Sequence, residues 1–330
     1  MVIETCPHCR ASVPCRDHAT PPSSWQSRVV YALVRARMRP YAHAPIDVAW
    51  VRKQMGQPRP VRRWMARATG AVYHDRPAAS GWPGGEVLHA PGGAPDAGTL
   101  LYLHGGGYIA CSPETHRSLV GSLVRRLGVT AWVPRYRLAP EHPYPAALED
   151  AFAAYQFLLS QPTVAPDRLL VAGDSAGGGL ALALMQRVRD RGLPMPAGIV
   201  TFSPWTDLAV TGASVEANSA RCAMFAADTI RRAAPLYAGT HDPQTPGISP
   251  LYGSFAGLPP LLIQASTEEV LRDDAIRVAD RARAQGVDVT LQLWTHVPHV
   301  WQFFSAVMPE AEAALRAVEG FAARVLPRTS

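Results

Sequence analysis

The stretch that decides the fold is Leu169-Leu170-Val171-Ala172-Gly173-Asp174-Ser175-Ala176-Gly177. Its first four residues form a continuous apolar run, which is typical of a strand buried on both faces of a parallel sheet. Residues 177–191 then carry apolar side chains at helical spacing. The G-x-S-x-G pattern between them predicts a sharp turn that holds Ser175 above the sheet. Its two glycines remove side chains that would collide where strand and helix pass each other.

Strand-like and helix-like segments alternate from residue 99 onward. The predicted strands are 99–104, 130–136, 169–172, 199–202, 261–265 and 289–294. The predicted helices between and after them are 117–127, 144–159, 177–191, 274–285 and 311–325. This alternation predicts an α/β fold in which a mostly parallel central sheet carries helices on both faces.

Two segments do not follow the alternation. Residues 21–70 have the pattern of amphipathic helices separated by prolines, and residues of about 207–250 are irregular or helical. We expect both segments to form a helical cap that builds the substrate pocket, over a catalytic domain of residues 71–330. Residues 1–20 are predicted to be a disordered tail. Their Cys6, Cys9, Cys15 and His18 are of zinc-ligand type, but the intervening loops are too short to favour a metal site.

Composition and charge limit the class of protein. Of 330 residues 48% are hydrophobic, which is enough for one large core. No apolar run approaches the roughly 20 residues of a membrane span. We find no secretory signal pattern, so a cytoplasmic protein is expected. Ten basic residues lie from Arg28 to Arg67 against one acid, Asp47. A solvated helix face is the favoured interpretation and an anionic surface or membrane interface the alternative, while no nucleic-acid motif is present.

A second motif, His104-Gly105-Gly106-Gly107, follows the predicted strand 99–104. Three glycines let the backbone approach a bound molecule and offer free N–H groups, which together with the N–H of Ala176 would hold a developing oxyanion. A phosphate loop is not favoured, because neither G-x-G-x-x-G nor G-K-S/T follows. We expect His104 to orient the loop and not to act as a base.

A serine nucleophile needs a base and an orienting carboxylate, in the chain order serine, acid, histidine. The candidates follow two late strands, at the sheet edge where sites of such folds gather. The pattern alone leaves six residues open: Glu268, Glu269, Asp273, Asp274, His296 and His299.

The chain resembles the bacterial hormone-sensitive-lipase-like esterases over roughly residues 70–325. The likeness rests on the HGGG motif at 104–107 and the GDSAGG motif at 173–178. Three further stretches are similar to the family, at 136–143, 146–150 and 203–208. The resemblance implies an α/β-hydrolase fold with a helical cap.

The resemblance also implies roles for single residues. The D-P-L-x-D element of the family reads Glu269-Val270-Leu271-Arg272-Asp273 here, which makes Glu269 the triad acid and leaves Glu268 and Asp273 as rivals. The histidine element maps to His299, and His296 is expected to be structural. The implied oxyanion donors are the backbone N–H groups of Gly106, Gly107 and Ala176.

The implied function is that of a serine carboxylesterase, which hydrolyses short- to medium-chain acyl esters through Ser175, His299 and Glu269. The pathway runs through a covalent acyl-enzyme and needs no metal or organic cofactor. An amidase, a lactonase, a metabolite deacetylase or a non-catalytic binding relative are the alternatives. The expected partner is a small ester, and the sequence allows a homodimer. The predicted pocket residues are Tyr108, Trp205, Phe225 and Trp25.

Overall fold

The computed structural model describes residues 23–55, 60–92 and 98–327. The predicted tail, with Cys6, Cys9, Cys15 and His18, lies outside these residues. Within them, one sheet has the strand order β1-β2-β4-β3-β5-β6-β7-β8. Its strands are β1 (Val72–Arg76), β2 (Gly85–His89), β3 (Thr99–Leu103), β4 (Thr130–Pro134), β5 (Leu169–Asp174), β6 (Gly198–Phe202), β7 (Leu261–Ser266) and β8 (Val289–Trp294).

All neighbouring strands from β4 to β8 pair in parallel, whereas β2 is antiparallel to both β1 and β4. The helices are α1 (Trp25–Met38), α2 (Val48–Met55), α3 (Pro60–Ala68), α4 (Pro113–Leu127), α5 (Ala146–Leu159), α6 (Ala176–Asp190), α7 (Ser214–Ala217), α8 (Ala227–Ala238), α9 (Arg272–Ala284) and α10 (Pro309–Val325).

The sheet is covered on both faces. Successive residues of β5 alternate between two cores: Val171 joins the one that contains α5, α6 and α9, whereas Leu170 and Ala172 join the one that contains α4 and α10. This alternation follows from the two-residue period of a strand. The prediction of a mostly parallel sheet with helices on both faces is confirmed.

The start of α4 differs from the predicted helix 117–127. The helix begins at Pro113, where a fixed φ and a missing N–H suit the first turn. The N–H of Ser112 donates to Thr115 Oγ1 at 3.0 Å, which satisfies a backbone donor just outside the helix. The apolar periodicity of the sequence predicted only the later turns of α4, which face the core.

No helix in the part of the chain that the structure describes combines the length and the apolar character that crossing a bilayer requires.

Helix α6 packs unusually close to the strands before it. A Cβ placed on Gly177 would lie 2.1 Å from the carbonyl oxygen of Leu103 and 2.5 Å from that of His104. A Cβ on Gly173 would lie 2.3 Å from the carbonyl oxygen of Gly177. These positions therefore require glycine for space, as the motif predicted.

We expect Gly177→Ala to lower the free energy of unfolding by about 1–3 kcal/mol or more, because the new methyl group forces α6 away from β3. Gly320→Ala is the matched control: it also lies in a helix, α10, but nothing approaches its Cβ within 4 Å. Helix propensity predicts that Gly320→Ala gains about 0.5–1 kcal/mol. Urea denaturation of both variants measures the difference, and equal stability would contradict the close approach.

Candidate active site

Ser175 lies in the turn between β5 and α6. Its φ of 52° and ψ of −123° belong to a region that residues with a Cβ rarely adopt. Three backbone bonds hold this conformation. The Ser175 N–H donates to the carbonyl oxygen of Phe202 at 2.8 Å, and its own carbonyl accepts from Gly179 at 3.1 Å and from Trp205 at 2.9 Å. The end of β6 and the residues after it therefore hold the turn in place.

Glu269 and His299 lie side by side in loops that follow β7 and β8. His299 Nδ1 is 2.5 Å from Glu269 Oε2, and both side chains are buried. The second carboxylate oxygen, Oε1, accepts from the Ser266 N–H at 2.8 Å. Both oxygens of Glu269 are thereby engaged, and the imidazole is held in one orientation.

The two carboxylates that the resemblance left as rivals of Glu269 have different partners. Glu268 Oε2 accepts from the His296 N–H at 2.9 Å. Asp273 accepts from the Ser214 N–H at 2.8 Å. Each carboxylate thus fixes a neighbouring loop, and the contact with His299 is made by Glu269.

The other ring nitrogen of His299 makes no hydrogen bond within the described part of the chain. This atom, Nε2, is buried. His299 and Ser175 line the same cavity, and the ring of Phe225 packs edge-on against His299 with centroids 5.1 Å apart. Burying a polar atom without a partner is costly, which is commonly tolerated where a substrate or a reacting group completes the contact.

The cavity has a volume of about 680 Å³. Gly106, Gly107, Ser175 and His299 contribute to its wall, together with a mainly apolar set that includes Met38, Ile46, Trp50, Val51, Met224, Phe225 and Ile230. Gly106 and Gly107 have φ values of 120° and 63°, so the loop after β3 depends on glycine.

Two of the four predicted pocket residues line the cavity and two do not. Trp205 and Phe225 line the cavity with Ser175. Tyr108 does not belong to that lining; it is buried beside it, with its ring stacked on Tyr237 at a centroid distance of 3.7 Å. Trp25 does not reach the cavity either, because it lies on the outer face of α1 and is 71% exposed.

The two segments outside the alternation meet each other at the cavity. Arg35 donates to the carbonyl oxygen of Ala220 at 2.9 Å, and Arg39 donates to that of Phe225 at 2.9 Å. In the reverse direction, Thr229 Oγ1 donates to the carbonyl oxygen of Ala42 at 2.6 Å. The periodicity of residues 21–55 indicated that these helices have an apolar face. It did not indicate that part of this face lines a cavity.

A buried carboxylate that the sequence analysis missed stands behind the glycine loop. Asp174 accepts from Tyr102 Oη at 2.8 Å and from the Gly105 N–H at 2.9 Å, and lies 3.2 Å from His116 Nε2. Burial alone would raise its pKa, but His116 and these donors hold the pKa of Asp174 below its usual value. The sequence did contain a signal for this role, because Asp174 is an acidic residue inside the G-x-S-x-G motif itself.

His104 is buried under the same loop. Its ring stacks on Tyr136 with centroids 4.2 Å apart, and Nδ1 is 2.8 Å from the carbonyl oxygen of Gly105. Burial, and then the neighbouring His116, lower the pKa of His104 to about 3. A side chain that stays neutral and contacts the loop backbone can orient the loop.

Asp274, another of the four carboxylates, holds the residues after β6. Its Oδ2 accepts from the N–H groups of Thr206 at 2.7 Å and Asp207 at 2.9 Å. Burial raises the pKa of Asp274 to about 7, against the lowering effect of these N–H groups. Asp274 therefore supports the Trp205 loop and not His299. The described residues contain no cluster of three or more histidine, cysteine or acidic side chains suited to a metal ion.

Comparisons with known proteins bear on the fold and the family of the chain. A family model described as the alpha/beta hydrolase fold matches residues 100–303. An acetyl-hydrolase of Streptomyces hygroscopicus is 46% identical over 226 residues, which are 68% of this chain and 75% of that relative. An esterase of Acinetobacter venetianus is 36% identical over 225 residues, which are 68% of this chain and 74% of the relative.

Solved structures are similar over almost the whole chain. An esterase of the bacterial hormone-sensitive lipase family superposes with a TM-score of 0.80 at 35% identity, covering 93% of this chain and 100% of that one. A crystal structure of EstE5 soaked with p-nitrophenyl butyrate has a TM-score of 0.81 at 36% identity, covering 91% and 98%.

The low pKa of His104 predicts an acid-dependent loss of stability. In the unfolded chain a histidine takes up a proton near pH 6.5, whereas folded His104 stays neutral down to about pH 3. The unfolded state therefore gains stability as the pH falls through this window, by up to about 1.4 kcal/mol per pH unit. We expect His104→Gln to reduce the slope of the unfolding free energy against pH between about 6.5 and 4.5 relative to the wild type, since carboxylates that titrate in this window, such as Asp274, are present in both proteins. Denaturant titrations at several pH values measure the slope, and an unchanged slope would refute the neutral state of His104.

Proposed function

This chain belongs to the α/β-hydrolase family, among the bacterial hormone-sensitive-lipase-like esterases, and we propose that Ser175, His299 and Glu269 are its catalytic triad. It is a carboxylic-ester hydrolase. One observation carries the residue assignment. His299 Nδ1 makes a buried contact of 2.5 Å with Glu269 Oε2, Nε2 of the same ring has no hydrogen-bond partner among the described residues, and His299 lines the same cavity as Ser175.

In the proposed first step, the ester carbonyl carbon is attacked by Ser175 Oγ while His299 Nε2 takes the hydroxyl proton. The carbonyl π electrons move to the oxygen. The negative charge is held by the N–H groups of Gly106, Gly107 and Ala176. Ala176 is the first residue of α6, where backbone N–H groups have no intrahelical acceptor and the helix dipole favours negative charge. The carboxylate of Glu269 stabilises the imidazolium that forms.

The tetrahedral intermediate then collapses. The C–O bond to the alcohol breaks as His299 returns its proton to the leaving oxygen, and the acyl group stays on Ser175. Water attacks this acyl-enzyme with His299 again acting as the base. The proton returns to Ser175, and the carboxylic acid leaves. Every proton in this cycle passes through one imidazole, so its fixed orientation by Glu269 is required in both halves.

We further propose that the substrates are esters of short to medium acyl chains, with acetyl esters among them. A similarity to an acetyl-hydrolase supports this, as does a similarity to an ethyl acetate hydrolase of Pseudomonas putida that is 34% identical over 223 residues. The mainly apolar lining of the 680 Å³ cavity favours uncharged ester groups over ionic ones.

The two segments that meet at the cavity are proposed to be the substrate-binding cap. Residues 33–55 and 224–233 supply many of its lining side chains, and hydrogen bonds such as the one from Arg39 to Phe225 join them. We also propose that the protein is a cytoplasmic homodimer. Sedimentation velocity would test the oligomeric state, and cell fractionation would test the location.

A substrate panel with a nucleophile variant tests the proposed function. We expect p-nitrophenyl acetate and butyrate to be hydrolysed faster than the matching anilides and simple lactones. Ser175→Ala should lower kcat roughly 10⁴- to 10⁶-fold, because no acyl-enzyme can form. Circular dichroism checks that the variant folds. Faster anilide or lactone turnover, or a Ser175→Ala variant that retains activity, would overturn the assignment.

The identity of the acid is tested by a matched pair of adjacent residues. Glu269→Gln should lower kcat about 10³- to 10⁴-fold, because an amide cannot stabilise the imidazolium and favours the wrong tautomer. Glu268→Gln keeps an acceptor for the His296 N–H, so its kcat should stay within about twofold of the wild type. Steady-state kinetics on p-nitrophenyl butyrate distinguishes the two, and the reverse order would make Glu268 the acid.

A further inference from the structure

The outer face of α1 carries an exposed apolar stripe. Trp25, Val29 and Leu33 follow one another at four-residue spacing and are 71%, 46% and 65% exposed. We call these three residues the outer stripe. Four-residue spacing places them on one side of the helix, where surface helices of globular proteins usually carry polar side chains.

The opposite face of α1 attaches the helix to the rest of the protein. Buried Ser27 donates through Oγ to the carbonyl oxygen of His296, and Tyr31 Oη donates to that of Arg221. Val30 packs against the apolar cluster that contains Trp294 and Trp301. Because α1 already has an inward face with these contacts, the outer stripe is a second apolar surface and not the core side of the helix.

Two arginines border the outer stripe. A 3.6-residue turn places Arg28 along one edge and Arg37 along the other. Neither forms an ion pair with a carboxylate in the described part of the chain: Arg28 contacts Ser23 Oγ at 3.4 Å and Arg37 donates to Gln54 Oε1 at 2.7 Å. In contrast, Arg52 of the same segment is paired with Glu141.

Acidic residues are scarce in the segment that carries this surface, and the carboxylate of Glu310, which accepts from Ser24 just before α1, is buried. Asp47 is the single acidic residue from position 23 to position 55, and its carboxylate accepts from the Trp50 N–H at 3.0 Å. The face that carries the outer stripe is therefore apolar at its centre and positively charged at both edges.

The outer stripe reaches the opening of the cavity. Leu33 belongs to the stripe and to the cavity lining, and Arg37 and the half-exposed Tyr41 line the cavity as well. Whatever covers the stripe therefore also faces the entrance through which an ester would approach Ser175.

We propose that the outer stripe, with Arg28 and Arg37, docks on an anionic lipid surface, so that the cavity opens onto that surface. An exposed tryptophan with aliphatic neighbours inserts favourably at the boundary between headgroups and acyl chains, and flanking arginines gain from negative lipid headgroups. A helix of this kind lies in the plane of the interface and does not cross it. Esters dissolved in the lipid then reach the active site without first entering bulk water.

Vesicle co-sedimentation of the full chain tests this proposal without relying on turnover, so its result is independent of the triad assignment. The probes are vesicles of phosphatidylcholine alone and of phosphatidylcholine mixed with phosphatidylglycerol. We expect binding to the mixed vesicles and weaker binding to the neutral ones. Arg28→Gln should reduce partitioning onto mixed vesicles about fivefold, since one basic residue near an anionic membrane contributes about that factor.

Val29→Asp places a charge within the outer stripe and should reduce partitioning roughly tenfold or more. Val72→Asp is the matched control, because Val72 is also an exposed valine but lies on the edge strand β1 at 37% exposure. Turnover of soluble p-nitrophenyl acetate should be unchanged in Val29→Asp, which shows that the protein is folded. Turnover of an ester embedded in mixed vesicles should fall in parallel with binding.

Three outcomes would overturn the proposal. The first is a wild type that does not bind mixed vesicles better than neutral ones. The second is a Val29→Asp variant that binds as well as Val72→Asp. The third is a wild-type dimer in sedimentation velocity that Val29→Asp converts to a monomer, because the outer stripe would then be an interface between two copies of the chain.

Discussion

Backbone contacts between α6 and the ends of β3 and β5 set the position of Ser175 relative to the glycine loop. The carbonyl oxygens of Leu103 and His104 occupy the space in which a side chain at Gly177 would lie. The same approach leaves Ser175 in a conformation that costs free energy, and bonds to Phe202 and Trp205 retain it. Because the helix N-terminus and the glycine loop are fixed to each other by these contacts, the N–H groups that we propose hold the oxyanion would be in position before any substrate arrives.

A buried group of polar side chains contacts the glycine loop and supports this arrangement. Asp174 connects Tyr102, His116 and the Gly105 N–H, and its donors offset the large cost of removing a carboxylate from water. Two buried carboxylates near the candidate active site therefore differ in the direction of their pKa shifts. Asp174 keeps its charge through several partners, whereas burial makes Asp274 easier to protonate.

The sequence was most informative where local backbone geometry decides the outcome. The G-x-S-x-G pattern and its flanking apolar runs predicted the turn at Ser175, because only glycine fits at positions 173 and 177. The sequence was less informative about Glu268 and Glu269, which are adjacent in one loop and differ only in which neighbour they contact. Trp25 illustrates a second limit: helical periodicity identifies an apolar position, but it cannot tell an inward face from an exposed one on a helix that has both.

Several of the hydrogen bonds that join the two segments over the cavity end on backbone carbonyl groups. Arg35, Arg39 and Thr229 each recognise a main-chain oxygen of the opposite segment. A carbonyl group is supplied by any residue type, so the side chain at an accepting position can be exchanged without removing the acceptor. Phe225 both accepts such a bond through its backbone and lines the cavity through its ring. Divergence among related sequences can thus reshape the cavity at this position while the two segments stay attached to each other.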